Sequence, residues 1–346
     1  MNVPTAAKTE SGATPAPIVT ERLTFGSTDL RVSPLGIGCA RIGGVFQGDS
    51  GAFVSLIGRA LDAGINFFDT ADMYSGGESE SILGRAFAGK RDRVVIASKV
   101  GYVLPAQRRL AGRIKPLLGP VIRMLGLSRS KLPASVRGAP SQNFSPDYIK
   151  SAVESSLVRL RTDHIDVLQL HSPPADVIRR GDWSRVLESL KRSGKVRYYG
   201  IACRTAEDAL LALEHPDVAA IQVTVNLLET SAVDTVLPAA RGRGVAVIAR
   251  ECLANGVLVK EPHEIDASVM FSSAEEASRK LRLAASYRDA AERRGLPLAT
   301  LALKYALAQE GVSTALVGVR TPAHLDGALR WFASADVPAA AFIVES

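Results

Sequence analysis

Four polar side chains close short apolar runs in the first half of this chain. Asp69 and then Tyr74 follow Ile65-Asn66-Phe67-Phe68, Lys99 ends Val94-Val95-Ile96-Ala97-Ser98, and His171 ends Ile165-Asp166-Val167-Leu168-Gln169-Leu170. These types can form a proton relay. A phenol with an ordinary pKa near ~10 gives up a proton poorly at neutral pH. A lysine cation beside it stabilises the phenolate and lowers that value. An aspartate next to the lysine keeps it charged and oriented, and a histidine opposite can hydrogen-bond a carbonyl oxygen and polarise it. The set suits delivery of a proton to an oxygen that is gaining negative charge. A structural Asp–Lys pair, a surface tyrosine and a core histidine would explain the residues singly, but not their shared place at the ends of apolar runs.

Those runs are short and rich in branched or aromatic residues, the pattern of buried parallel strands. Strands are predicted to begin near Leu35, Asn66, Val94, Ile165, Val196, Ala220, Val245 and Thr314. Helical stretches are predicted at 52–63, 78–88, 146–160, 183–191, 205–214, 233–241, 298–309 and 323–332. Alternation of this kind implies a parallel sheet, because each crossover needs a helix packed on it. Eight units in about 300 residues predict an α/β fold, a closed (β/α)8 TIM barrel with its active site and long loops at the carboxyl mouth. An open doubly wound sheet would need a third glycine after Gly36-Ile37-Gly38, and Cys39-Ala40-Arg41 supplies none. Ahead of the barrel, Arg22–Phe25 and Leu30–Ser33 flank Gly26-Ser27-Thr28-Asp29, which predicts a β-hairpin plugging the amino-terminal end. Residues 1–20, with Pro4, Pro15 and Pro17, read as a disordered leader without the features of a signal peptide, and 21–346 as a single domain.

The composition, 47% hydrophobic and 22% charged, is that of a globular protein, and no apolar stretch reaches the ~20 residues of a membrane span. Three cysteines make a disulfide framework improbable and predict a reducing, cytoplasmic setting. Cys39, Cys203 and Cys252 are each expected to face the mouth, as small fillers or as an oxidation-sensitive site; no Cys/His pair has metal-ligand spacing, so no metal is expected. The net charge of +7 is concentrated in one insertion at about 102–146. Arg108, Arg109, Arg113, Lys115, Arg123, Arg129, Lys131 and Arg137 lie there with no acidic residue, so the rest of the chain is nearly neutral. Apolar residues from Leu110 to Leu125 recur at helical spacing, giving a basic amphipathic helix broken by Pro116 and Pro120. It reads as a solvated cover over the mouth, a lid selecting an anionic substrate, or a membrane-surface or partner contact. Nucleic acid is not expected as a partner, because no aromatic residue between Tyr102 and Phe144 is available to stack on bases.

The segments Asp69–Tyr74 with Glu78–Ala86, Ile96–Lys99, and SLVRLRTDHIDVLQLH from Ser156 to His171 resemble the aldo-keto reductases in order and spacing, and the resemblance runs from Glu21 to Phe332. It implies hydride transfer between a nicotinamide and an aldehyde or ketone, with Tyr74 as general acid, Lys99 and Asp69 as its tuning partners and His171 orienting the carbonyl. It also implies that Gln222 holds the nicotinamide amide. The Ser-Asn pair that usually assists is Ala202-Cys203 here, and the aromatic that usually stacks on the nicotinamide is Arg250, in a segment that brings Leu253 and Gly256 to the cofactor. Leu316–Pro322 resembles the family's phosphate loop, with Gly318 in it, although Val317 replaces the usual proline. Arg320 there favours NADPH over NADH, since a guanidinium fork suits a 2′-phosphate. His324 falls at an adenine-contact position; Gly327 and Ala328 depart from the pattern. The expected substrate is a small carbonyl compound, with a sugar or other polyhydroxy carbonyl preferred because aromatics make up only 5% of the chain. Met73, Phe46, the insertion, residues 266–282 and the tail 337–346 are expected to line its pocket. A cofactor-binding redox-sensing subunit and a repurposed barrel catalysing elimination or isomerisation are the alternatives.

Overall fold

The computed structural model describes residues 18–43, 50–103 and 141–344. Strands β1 (Leu23–Thr24) and β2 (Arg31–Val32) pair antiparallel as the predicted hairpin. Then come β3 (Leu35–Gly38), β4 (Phe67–Asp69), β5 (Val95–Val100), the short β6 (Tyr102–Val103) and β7 (Ser141–Gln142), β8 (Ile165–His171), β9 (Val196–Ala202), β10 (Ala220–Thr224), β11 (Ala246–Arg250) and β12 (Val312–Gly318). Strands β3, β4, β5, β8, β9, β10, β11 and β12 close into a parallel eight-stranded barrel, and β6 pairs with β7 at the root of the basic insertion.

Strand periodicity of two decides what fills the barrel. Phe67, Val95, Ala97, Val167, Ala220, Ala246, Ile248 and Leu316 form one buried cluster with Phe25, Leu30 and Val32 of the hairpin. The hairpin is therefore the plug of the amino-terminal end: the Phe25 ring lies 5.6 Å from that of Phe67. Its turn needs glycine, because Gly26 has φ +56° and a Cβ there would sit 2.5 Å from the Gly244 carbonyl oxygen. Two residues beyond the apolar layer, the same inward series becomes polar: Asp69 after Phe67, Lys99 after Ala97, Gln169 after Val167 and Gln222 after Ala220. The alternate faces of the strands pack on the helices in a second, larger core.

At the base of the barrel, buried Asp166 ties three strands together. Its carboxylate accepts from the Ile96 N–H at 2.9 Å, Arg91 Nη2 at 2.7 Å and Arg197 Nη1 at 3.0 Å. No helix among the described residues is long and apolar enough to cross a membrane.

Several expectations change. Val19 does not belong to the predicted disordered leader, because it is buried and its N–H donates to Ala63 O at 2.8 Å; residues 1–17 of that leader lie outside the described residues. A helix at Ala274–Glu292 was not anticipated. Its buried face is Ala277, Ala284, Tyr287, Ala290 and Ala291, mostly alanine, which leaves little apolar periodicity to read. Among the described residues the tail packs on two outer helices: Phe342 lies edge-on against Tyr305, and Tyr287 Oη donates to Phe342 O at 2.9 Å. The cysteines do not face the mouth, since all three are buried in the core between barrel and helices. Burial pushes the Cys252 thiol up to about 12 and those of Cys39 and Cys203 further, so no thiolate is available and the oxidation-sensitive reading falls.

Candidate active site

The inward polar layer and the strand ends above it bring the four predicted residues together. Lys99, 1% exposed, uses all three of its donors: Asp69 Oδ2 at 2.5 Å, Thr70 O at 3.0 Å and Tyr74 Oη at 3.4 Å. An ammonium has no acceptor, so the Tyr74 oxygen must accept that bond, which leaves its own hydrogen to point elsewhere. The His171 ring stands edge-on to Tyr74, with centroids 5.7 Å apart.

Burial sets the protonation states. It raises the Tyr74 phenol above its usual range, with the Lys99 cation offsetting only part of the effect. The lowering expected from the sequence is therefore reversed in sign, because a dry site disfavours phenolate more than one neighbouring cation restores it. Burial works against the Lys99 cation too, but Asp69 and Tyr74 outweigh it and the ammonium persists. Burial, then the Lys99 and Arg250 cations, hold His171 well below its ordinary value, so the ring is neutral. Its Nδ1 is buried without a partner among the described residues. An orphaned lone pair is easier to tolerate than an orphaned N–H, so we assign the proton to Nε2.

Backbone geometry marks the same places. Ser75, Ser172 and Glu251 take the left-handed conformation uncommon for non-glycine residues, and each directly follows a mouth residue: Tyr74, His171 and Arg250. The His171 strand end is also clamped from above. Gln142 Nε2 on β7 donates to the carbonyls of His171 (3.1 Å) and Ser172 (2.9 Å), and its Oε1 accepts from Arg204. The Tyr102 ring on β6 meets His171 edge-on at 4.7 Å. The two ends of the basic insertion thus frame the histidine; the charged residues of the insertion and Phe46 lie outside the described residues.

The predicted cofactor residues are spread round the mouth. Gln222 is buried and donates Nε2 to Asp69 Oδ1 at 2.9 Å, which leaves its Oε1 to accept from an amide. Arg250 pairs with Glu251 and reaches over the end of β10 to Cys203 O at 3.0 Å. Its guanidinium therefore lies at the strand end where Ala202-Cys203 provides no polar side chain. Leu253 and Gly256 belong to the loop after β11, where Ala254 and Asn255 also have positive φ. Gly318 ends β12 with open space where a Cβ would stand. Arg320 lies just before the helix Pro322–Ala333, and its N–H donates to His324 Nδ1 at 3.3 Å. A cavity of about 530 Å³ opens beside this arc, lined by Arg204, Asn226, Arg250, Glu251, Asn255 and Lys280 but by none of the four relay residues.

Two groups, buried Gln169 and half-buried Asp72, were missed in the sequence. Gln169 donates to Asp69 Oδ1 at 3.2 Å; its signal was a polar residue in the inward series Val167, Gln169, His171. Asp72 has Tyr148 Oη 3.5 Å away, and burial followed by the negative charge of Glu80 pushes its carboxyl up to about 7. The run Asp69-Thr70-Ala71-Asp72 carried no hint that one oxygen of its second acid would be buried.

A closed parallel barrel with this side-chain set at its carboxyl mouth defines an oxidoreductase acting on carbonyl and CH–OH groups with a nicotinamide cofactor. Residues 34–339 match the Aldo/keto reductase family, and the chain belongs to it. It is 29% identical over 333 residues to the pyridoxal 4-dehydrogenase of Microbacterium luteolum, covering 90% of this chain and 93% of that one. It is 28% identical over 322 residues to the D-threo-aldose 1-dehydrogenase of a Pseudomonas species, covering 90% and 92%. The aldo-keto reductase AKR11C1 from Bacillus halodurans (holo form) superposes with a TM-score of 0.74 at 26% identity, over 93% of this chain and 94% of that one.

Proposed function

We propose that this protein is a cytoplasmic, NADPH-dependent reductase of a small aldehyde or ketone, with Tyr74 as proton donor. The observation that carries the reading is the Lys99–Tyr74 contact made inside the buried Asp69–Lys99 pair. The bound nicotinamide supplies the hydride. Neutral His171 donates from Nε2 to the carbonyl oxygen and orients it, and Tyr74 gives that oxygen its proton as charge develops. Lys99 stabilises the phenolate that remains, and Asp69 keeps the ammonium in place. In the oxidising direction the same groups run in reverse.

A hydroxylated carbonyl substrate, a sugar or similar compound, agrees with a relative named for D-threo-aldoses. Turnover of NADPH with a panel of sugars, nucleotide sugars, phosphorylated aldehydes and aromatic aldehydes tests the class. A profile confined to hydrophobic aromatic aldehydes would overturn it, and a preference for the phosphorylated members would support the anionic-substrate lid.

NADPH is favoured by Arg320, which stands at the amino end of a 12-residue helix, where both the guanidinium and the helix terminus attract phosphate. Arg320→Ala is expected to weaken NADPH binding about tenfold and to leave NADH unchanged. Titration of both cofactors by fluorescence measures this, and an equal effect on the two would remove Arg320 from the role.

A further inference from the structure

We propose that Gln169 is a positioning residue of the proton relay: its amide fixes the Asp69 carboxylate so that Lys99 stays aimed at Tyr74. The inference rests on the relay assigned above. The two oxygens of Asp69 have separate tasks. Oδ2 holds the ammonium at 2.5 Å, while Oδ1 accepts from Gln169 Nε2 at 3.2 Å and Gln222 Nε2 at 2.9 Å. Gln169 is 0% exposed, and the layer beneath it is the apolar one of Ala97, Val167 and Ala220. A side-chain amide is costly in such a place unless it is bonded, and its Oε1 has no partner among the described residues. Its bond to Asp69 is therefore what compensates its burial. A leucine would fill the same space without that cost, so the amide is retained for what it donates to. The clamp matters because the Lys99–Tyr74 contact is already long at 3.4 Å. Removing Gln169 leaves Oδ1 held by Gln222 alone, which allows the carboxylate to turn toward Gln222 and to draw the ammonium away from the phenol.

The test compares the full chain with Gln169→Leu and Gln169→Glu, using NADPH and glyceraldehyde as probes. Gln169→Leu is expected to melt near the wild-type temperature and to bind NADPH within about threefold of it, while kcat falls about 10- to 100-fold, the scale of an ångström-sized misplacement. In Gln169→Glu a protonated carboxyl donates to Asp69 as the amide does. Its kcat should approach the wild-type value at low pH and fall as pH rises and a second carboxylate forms beside Asp69, well below the high-pH fall that Tyr74 sets in the wild type. A packing role would instead lower stability in both variants without that earlier fall. The readout independent of turnover is the Lys99 ammonium in protein with 15N-labelled lysine, a resonance that Lys99→Met identifies. Gln169→Leu should shift or broaden it. An unchanged ammonium signal, or a wild-type kcat in Gln169→Leu, overturns the proposal. Turnover retained by Tyr74→Phe overturns the proton-donor reading instead, and Gln169 is then judged on the ammonium signal alone.

Discussion

Tyr74→Phe is expected to lower kcat for carbonyl reduction by about 10³-fold, within the range general acid catalysis contributes. Only one oxygen is removed, and the ring keeps its edge-on contact with His171, so NADPH affinity should stay within about threefold and the fold should be intact. Lys99→Met would be a less clean test, because it leaves the Asp69 carboxylate buried without its cation. The pH dependence follows from the direction of the phenol shift. Burial raises the Tyr74 pKa, so the phenol is protonated through neutral pH and reduction proceeds until pH climbs toward that pKa. Oxidation of the alcohol needs phenolate and should therefore gain rate as pH rises. Neutral His171 should contribute no limb above its own strongly lowered value. Rate profiles in both directions check this, and Tyr74→Phe retaining wild-type turnover would end the assignment.

Asp166→Ala is expected to cost about 3 kcal/mol of stability, the largest loss away from the mouth. The carboxylate is the shared acceptor for Arg91, Arg197 and the Ile96 N–H, and it joins β8 to the strands on either side. The two guanidinia are partly exposed and can turn to water, so the figure lies at the lower end for a broken buried pair. The Ile96 N–H cannot turn to water and accounts for much of the loss. Burial opposes the charged form of Asp166, but its hydrogen bonds and the guanidinia outweigh burial and hold its pKa below the usual carboxylate range. Its contribution is therefore present above the unfolded value near ~3.9 and is lost as pH falls through the folded one. His164 runs the opposite way. Chiefly through the Asp166 carboxylate, 3.7 Å from its Nε2, its pKa is raised, so its contribution is complete below ~6.5 and fades as pH rises through the folded value. Urea denaturation from pH 3 to 8 should show the wild-type advantage shrinking at the acid end. A difference under 1 kcal/mol at pH 6 would contradict the role given to this carboxylate.

The barrel was legible because its signals are local. Eight apolar runs alternate with amphipathic stretches, and each strand can be recognised without knowing its neighbours. Helix Ala274–Glu292 escaped because its buried side is alanine. The cysteines were misplaced for a related reason: being near a strand end does not say which face of the wall a side chain takes, and that parity is fixed by pairing with distant strands. Tyr74, Lys99, Asp69 and His171 could be named because they close or directly follow three separate apolar runs. Gln169 sits inside such a run, and only the neighbouring Asp69 gives its amide a purpose.

The sequence by itself determined the order of strands and helices, the plug, and which ionisable residues stand at strand ends, since all of these follow from periodicity within a few residues. The tertiary structure decided who meets whom across the barrel: Gln169 and Gln222 on one oxygen of Asp69, Tyr102 against His171, and Arg250 reaching from β11 to Cys203 after β9. It also decided the sign of the Tyr74 shift. Strand register and depth of burial set those outcomes, and both depend on residues 47 to 153 positions apart.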